Sequence, residues 1–137
     1  MTKDKMLFFV LKIAMGWIFL WAFLDKVLGL GFATTPERSW LAGGSPTSGF
    51  LAGAVKGPFA DFYHALAGST VVDWLFMMGL LLIGLGLITG IKLKLACYGG
   101  VALMILMYLA LIPPANNPII DEHIIYALVL LVLARTD

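Results

Sequence analysis

The chain has 137 residues, 61% of them hydrophobic and 12% charged, with nine Lys and Arg against eight Asp and Glu, and its mean hydropathy is +0.99. A soluble domain carries roughly 25% charged and about 45–50% apolar residues, and a chain this short cannot hide so large an apolar excess from water. A soluble enzyme, a disordered chain and a nucleic-acid binder are therefore excluded, and the lone Cys97 leaves no disulfide framework, CxxC pair or thiolate metal cage.

Crossing a bilayer as a helix takes about 20 mostly apolar residues, and lipid leaves helices as the way to satisfy the backbone. The predicted fold is all-α integral membrane: a four-transmembrane-helix bundle, with spans at about 6–30, 73–91, 95–113 and 118–134 in a single domain over 1–137. Short amphipathic helices are expected in a long outer loop between spans 1 and 2. The first span is read as retained, because its apolar run outlasts a signal core and Asp25-Lys26 closes it.

The loop, 32–72, is too long to be structureless. Thr35-Pro36, Ser45-Pro46 and Gly57-Pro58 each set a capping-type residue before a proline that suits a first helical position. After Pro58, Phe59, Phe62, Tyr63 and Leu66 recur at helical spacing, with Asp61 and His64 opposite. That predicts an amphipathic helix with its aromatics turned toward lipid or over the bundle mouth. Gly43-Gly44-Ser45-Pro46-Thr47 reads as a turn whose N–H groups and hydroxyls suit an anion or a carbonyl oxygen.

Span 2 carries Gly79, Gly86 and Gly90 on one face, which predicts close helix packing or a homodimer seam. Asn117-Pro118 is the expected start of span 4. If four spans alternate, Lys3, Lys5, Lys12, Lys92, Lys94 and Arg135 share one side, and Lys26, Arg38 and Lys56 the other. Six basic residues against three predict a multi-pass protein of the cell membrane with both termini cytoplasmic.

Ionisable residues at span ends are costly and therefore informative. Asp25 and Lys26 close span 1, Asp73 and Trp74 open span 2, and Asp121, Glu122 and His123 open span 4, all at one mouth. Asp25, Asp121 and His123 are the candidate proton acceptors for catalysis. Trp21, Trp40, Trp74 and Tyr126 are candidate walls for a ligand ring, and Lys26, Gly43, Gly44, Ser45, Thr47 and Asp73 candidate polar contacts. The structural alternatives are interfacial Trp anchors, acids favoured by a helix N-terminus, and Lys26 paired with Asp121 or Asp73. No metal ligand is assigned. With only two histidines, a haem held by His64 and His123, or a metal at His123 and Asp121, stays an alternative.

At these residues the sequence resembles the DoxX family of small four-span membrane proteins over nearly its whole length. The matching stretches are Gly16-Trp17-x-Phe19-x-Trp21-x-x-x-Asp25-Lys26, Trp40-Leu41-x-Gly43-Gly44-Ser45-Pro46-Thr47-x-Gly49-Phe50, Gly57-Pro58-Phe59-Ala60, and Val72-Asp73-Trp74-Leu75-Phe76-Met77. Asn116-Asn117-Pro118-Ile119-Ile120-Asp121-Glu122-His123-Ile124-Ile125-Tyr126 closes the pattern. The wider family is similar to the small membrane subunit of thiosulfate:quinone oxidoreductase. The resemblance implies a quinone-linked redox role in the membrane, as part of an oxidoreductase, with quinone as cofactor and other membrane subunits or a homo-oligomer as partners besides the bilayer. The competing reading is a non-catalytic structural or assembly subunit of a larger respiratory membrane complex. The chain lacks the thiol pairs of disulfide-exchanging relatives, so Cys97 is not expected to perform thiol–quinone chemistry.

Overall fold

A computed structural model describes residues 2–115 and 117–136; Asn116, part of the last family-like stretch, lies outside the described residues. Five α-helices carry the fold: α1 (Lys3–Leu28), α2 (Ala60–Leu66), α3 (Thr70–Thr89), α4 (Leu93–Leu111) and α5 (Glu122–Ala134). A 3-10 turn at Pro36–Arg38 and a π-helical turn at Phe50–Ala54 lie in the connection between α1 and α2. The all-α expectation holds, and α1, α3 and α4 are long and apolar enough to cross a membrane.

Local chemistry sets the ends. The Thr2 hydroxyl accepts the Lys5 N–H at the start of α1, and Ser69 does the same for Val72 at the start of α3. Gly29 and Gly90, at φ 67° and 79°, end α1 and α3 in the left-handed region that a side chain would disfavour. The helix expected from 118 begins later. The Asn117 carboxamide accepts the N–H groups of Ile119 and Ile120, and its own amide donates to the Ile120 carbonyl. This closes a separate turn, so the helix starts only after Asp121, which caps it. The 13 residues of α5 rise about 20 Å, short of a hydrocarbon core of about 30 Å.

Four of the helices close a ring: α1 on α3, α3 on α4, α4 on α5, and a thinner contact from α5 back to α1. Met15, Phe19, Met77, Leu87, Cys97, Leu130 and Leu133 fill its centre. The tightest approach is between α1 and α3, where a Cβ on Gly16 would lie 2.6 Å from the Ile88 side chain and one on Gly84 2.9 Å from the Leu20 nitrogen. Small residues permit that approach where lipid supplies no hydrophobic drive. Lys12, the charge inside span 1, donates from Nζ to the Ile88 carbonyl at 3.3 Å, near the C-terminus of α3. Carbonyls there lack helical partners and favour a cation.

At the opposite end the connection folds over the bundle as a roof. Leu51, Val55 and Tyr63 pack on Ala110 near the end of α4. The Lys56 N–H donates to the Ala110 carbonyl at 3.0 Å, and the Tyr63 hydroxyl donates to the Leu106 carbonyl at 2.6 Å. Of the expected amphipathic face of α2, Tyr63 is buried and Leu66 half-buried, whereas Phe59 and Phe62 stay exposed.

Candidate functional site

Asp25, Asp73 and Asp121 at the roofed end are each held by the protein itself. Asp25, 1% exposed, accepts the Phe32 N–H at 3.2 Å and the Ala33 N–H at 2.8 Å. It thereby draws the chain leaving α1 back onto the helix end. Nearby, the N–H groups of Trp40 and Leu41 donate to the Lys26 and Val27 carbonyls at 2.8 and 3.2 Å. These are terminal carbonyls that the helix leaves without partners.

Asp73, also buried, accepts the hydroxyl protons of Ser45 and Thr47 on one oxygen, at 2.7 and 2.6 Å. The Gly43 and Gly44 N–H groups donate to the Trp40 and Ser39 carbonyls, both at 3.0 Å. A Cβ on Gly44 would collide with the Arg38 carbonyl. The turn read as a donor array is therefore directed inward: its glycines allow a tight return and its hydroxyls fasten the loop to α3.

Asp121 and His123 form a third closed unit. One Asp121 oxygen accepts the His123 and Ile124 N–H groups at 2.9 and 3.2 Å, and the other meets His123 Nδ1 at 2.9 Å. The contact is an ion pair when the imidazole is protonated, and an Nδ1–H hydrogen bond in the matching neutral tautomer. Partial burial opposes ionisation of Asp121. The side-chain hydrogen bond from His123, the Ile124 N–H, the charge of His123 and the His123 N–H together outweigh it and hold the carboxyl below its ordinary range.

The aromatic candidates stand around the rim. Trp17 and Trp21 lie 5.6 Å apart, Trp21 meets Phe32 edge-on at 5.0 Å, and Trp40 meets Trp74 edge-on at 4.7 Å. Trp74, near the start of α3, is 54% exposed, as befits a side chain at a membrane edge, while Trp17, 50% exposed, lies midway along α1. Tyr126 packs against the core. His64 is exposed on α2, and among the described residues no three of His, Cys, Asp and Glu converge as a metal site would require.

Lys26 is the exception to this pairing. Among the described residues no carboxylate comes within 4.0 Å of its ammonium, so the expected pair with Asp121 or Asp73 is not formed. Both acids are already satisfied by neighbours in their own segments or in the roof. The Lys26 ammonium instead lies 5.9 Å from the Phe76 ring centre, and Lys26 lines a cavity of about 440 Å³ beneath the roof. Phe50 and Leu51 of the π-helical turn, Phe62, Tyr63 and Leu66 of α2, Phe76 of α3, and Leu103 and Met107 of α4 wall it. Thr47 and Tyr63 line it with their hydroxyl protons already committed, to Asp73 and to Leu106, and burial pushes the Tyr63 phenol up.

The roofed end thus brings Lys26 and Thr47 to one chamber and leaves Asp25, Asp121, His123, Trp21, Trp40 and Tyr126 off its walls. The sequence reading missed Phe50, Leu51, Leu103 and Met107 as walls. Its signal for α2 was correct in kind, since part of the 59/62/63/66 pattern faces the bundle mouth. Compared with family models, curated proteins and solved structures, the chain finds no match in any of the three. Chemically, the chamber suits a flat apolar group with a hydrogen-bond acceptor at one edge. Its apolar walls would charge a heavy desolvation cost to a small hydrated anion.

Proposed function

We propose that the protein is a quinone-linked component of a membrane redox system and binds the quinone ring in the Lys26 cavity. The observation that carries this reading is Lys26, with no carboxylate within 4.0 Å of its ammonium among the described residues, lining an apolar chamber of about 440 Å³. A cation beside a quinone carbonyl donates to its oxygen and favours the ring as negative charge develops on reduction. The order of motifs resembling the DoxX family supports the same reading. No side chain here carries electrons unaided, so a partner subunit or a bound cofactor supplies them. Protons reach the ring from the membrane edge or through Lys26, because the Asp121–His123 unit does not line the chamber.

In the same proposal the protein lies in the cell membrane, with the roof outside and both termini in the cytoplasm, as the six-to-three bias of basic residues supports. The engagement of Asp25, Asp73 and Asp121 in holding loop and helix starts favours a second reading, a non-catalytic subunit of a larger membrane complex.

Equilibrium binding of a decyl-tailed benzoquinone to the purified protein separates the two. A hydrogen bond from a charged donor contributes about 1.5–3 kcal/mol, a factor of roughly 10–100 in affinity. Lys26→Met is expected to lose about that factor while retaining the wild-type fold. Unchanged affinity in Lys26→Met, or no binding by the wild type, would overturn the quinone reading.

A further inference from the structure

The chamber under the roof shares walls with a second hollow. Leu75, Phe76, Leu103 and Leu106 line both it and a groove of about 710 Å³ between α3 and α4. The groove follows the two helices to Thr89 and Lys92 at the far end. Over residues 75–89 of α3 that is about 20 Å, at about 1.5 Å per residue. Between its ends the lining is apolar and the floor is built from small residues, Gly79, Gly86, Gly99, Ala96 and Ala102. The Thr89 hydroxyl at the far end already donates to the Leu85 carbonyl.

Two of these glycines keep their space empty. A Cβ on Gly79 would meet nothing within 4 Å, and one on Gly99 would make only ordinary contact with Ile83 at 3.6 Å. Gly16, Gly84, Gly86 and Gly100 differ, since a Cβ on any of them would press on a neighbouring helix or side chain. The small residues at 79 and 99 are therefore not needed for packing within the chain; what they leave open is the groove.

We propose that the α3–α4 groove seats the hydrocarbon tail of the same molecule whose ring occupies the Lys26 cavity, so that the ligand is a long-tailed amphiphile laid along the two helices. This rests on the quinone reading of the chamber and adds the ligand's length and direction to it. A lysine stands at either end, Lys26 and Lys92, and the ring's seat at Lys26 sets the direction. The acceptor atoms of the head belong at Lys26, and the uncharged lining from Gly79 to Gly86 on α3 and from Leu95 to Ala102 on α4 accepts hydrocarbon alone. The groove opens sideways, with Leu75, Leu82 and Leu95 at 65–71% exposure, so a tail enters from the lipid without passing through the core.

The test compares two probes, a benzoquinone carrying a long isoprenoid tail and the same ring with a methyl group in its place. Each is titrated against protein in lipid nanodiscs. The wild type is expected to bind the tailed ring about tenfold more tightly, about 1.4 kcal/mol. Gly79→Phe, which fills open space, is expected to erase that preference and leave the methyl ring's affinity unchanged. Ala102→Leu, at an exposed groove position, serves if Gly79→Phe does not fold. Equal binding of the two probes by the wild type, or a preference that survives both variants, would overturn the tail seat while leaving the head site standing. A Gly79→Phe variant that changes oligomeric state but keeps the preference would assign the groove to a second copy instead. Loss of binding for both probes in the wild type would overturn the head site as well.

Discussion

Asp73 has two hydroxyl donors on one oxygen, and the roof depends on them. Thr47→Val keeps the shape and removes one donor from a buried carboxylate, which costs about 1–3 kcal/mol. The expected outcome is a lower thermal midpoint in detergent, followed by tryptophan fluorescence, since Trp40 and Trp74 touch near this fastening. A midpoint equal to wild type would mean that the roof is held without Asp73. Asp121 gives a pH dependence whose sign is fixed. Its carboxyl titrates below the unfolded value, so its contribution is present above an ordinary Asp pKa of about 3.9. It is lost as pH falls through the lower folded value. Thermal midpoints should therefore decline on acidification below about pH 4, and Asp121→Asn should flatten part of that decline. An identical acid slope in the variant would contradict the assignment. At this scale the sequence marked Ser45, Thr47, Asp73, Asp121 and His123 as belonging to one end, because span lengths place them there. Which of them hold one another was not legible, since hydrogen-bond partners are chosen by tertiary geometry.

Among the elements, the seam between α1 and α3 is the least tolerant of added volume. Gly16→Leu would drive a side chain into Ile88 and the Gly84 backbone. Overpacking of this kind costs about 1–3 kcal/mol, and a matching drop in thermal midpoint is expected. Gly79→Ala, facing open space, is expected to fold at least as stably as the wild type. The same melt measures both, and equal loss in the two would contradict the packing described. Helical spacing correctly put Gly79 and Gly86 on one face, but spacing does not say what that face meets. Gly86 contacts Ala96, Gly79 opens on a groove, and Gly90 ends the helix, while the tight contact falls on Gly84 and Gly16. The start of α5 was misplaced for a similar reason. Asn117-Pro118 has the composition of a helix start, yet Asn117 spends its carboxamide on a turn and Asp121 provides the cap.

For the whole molecule, α1, α3 and α4 are long and apolar enough to cross a membrane, and the roof closes one end of the ring. In the proposed orientation Lys92, between α3 and α4, faces the cytoplasm. A cysteine introduced there should react with an impermeant maleimide only after the membrane is opened. Native Cys97 is fully buried and should stay silent; labelling of position 92 in intact cells would reverse the topology. The all-α class was legible from composition and span length alone. The chamber was not, because its walls come from five separate segments that only the folded roof brings together. The central claim is that this chamber, and not the first turn of α5, holds the quinone ring. Photo-crosslinking with an azido-quinone, followed by peptide mass mapping, tests it most directly. Adducts are expected on the segments carrying Phe50–Leu66 and Leu103–Met107, with loss of labelling in Lys26→Met. Adducts concentrated on Asp121–Tyr126, or an unchanged pattern in Lys26→Met, would contradict it.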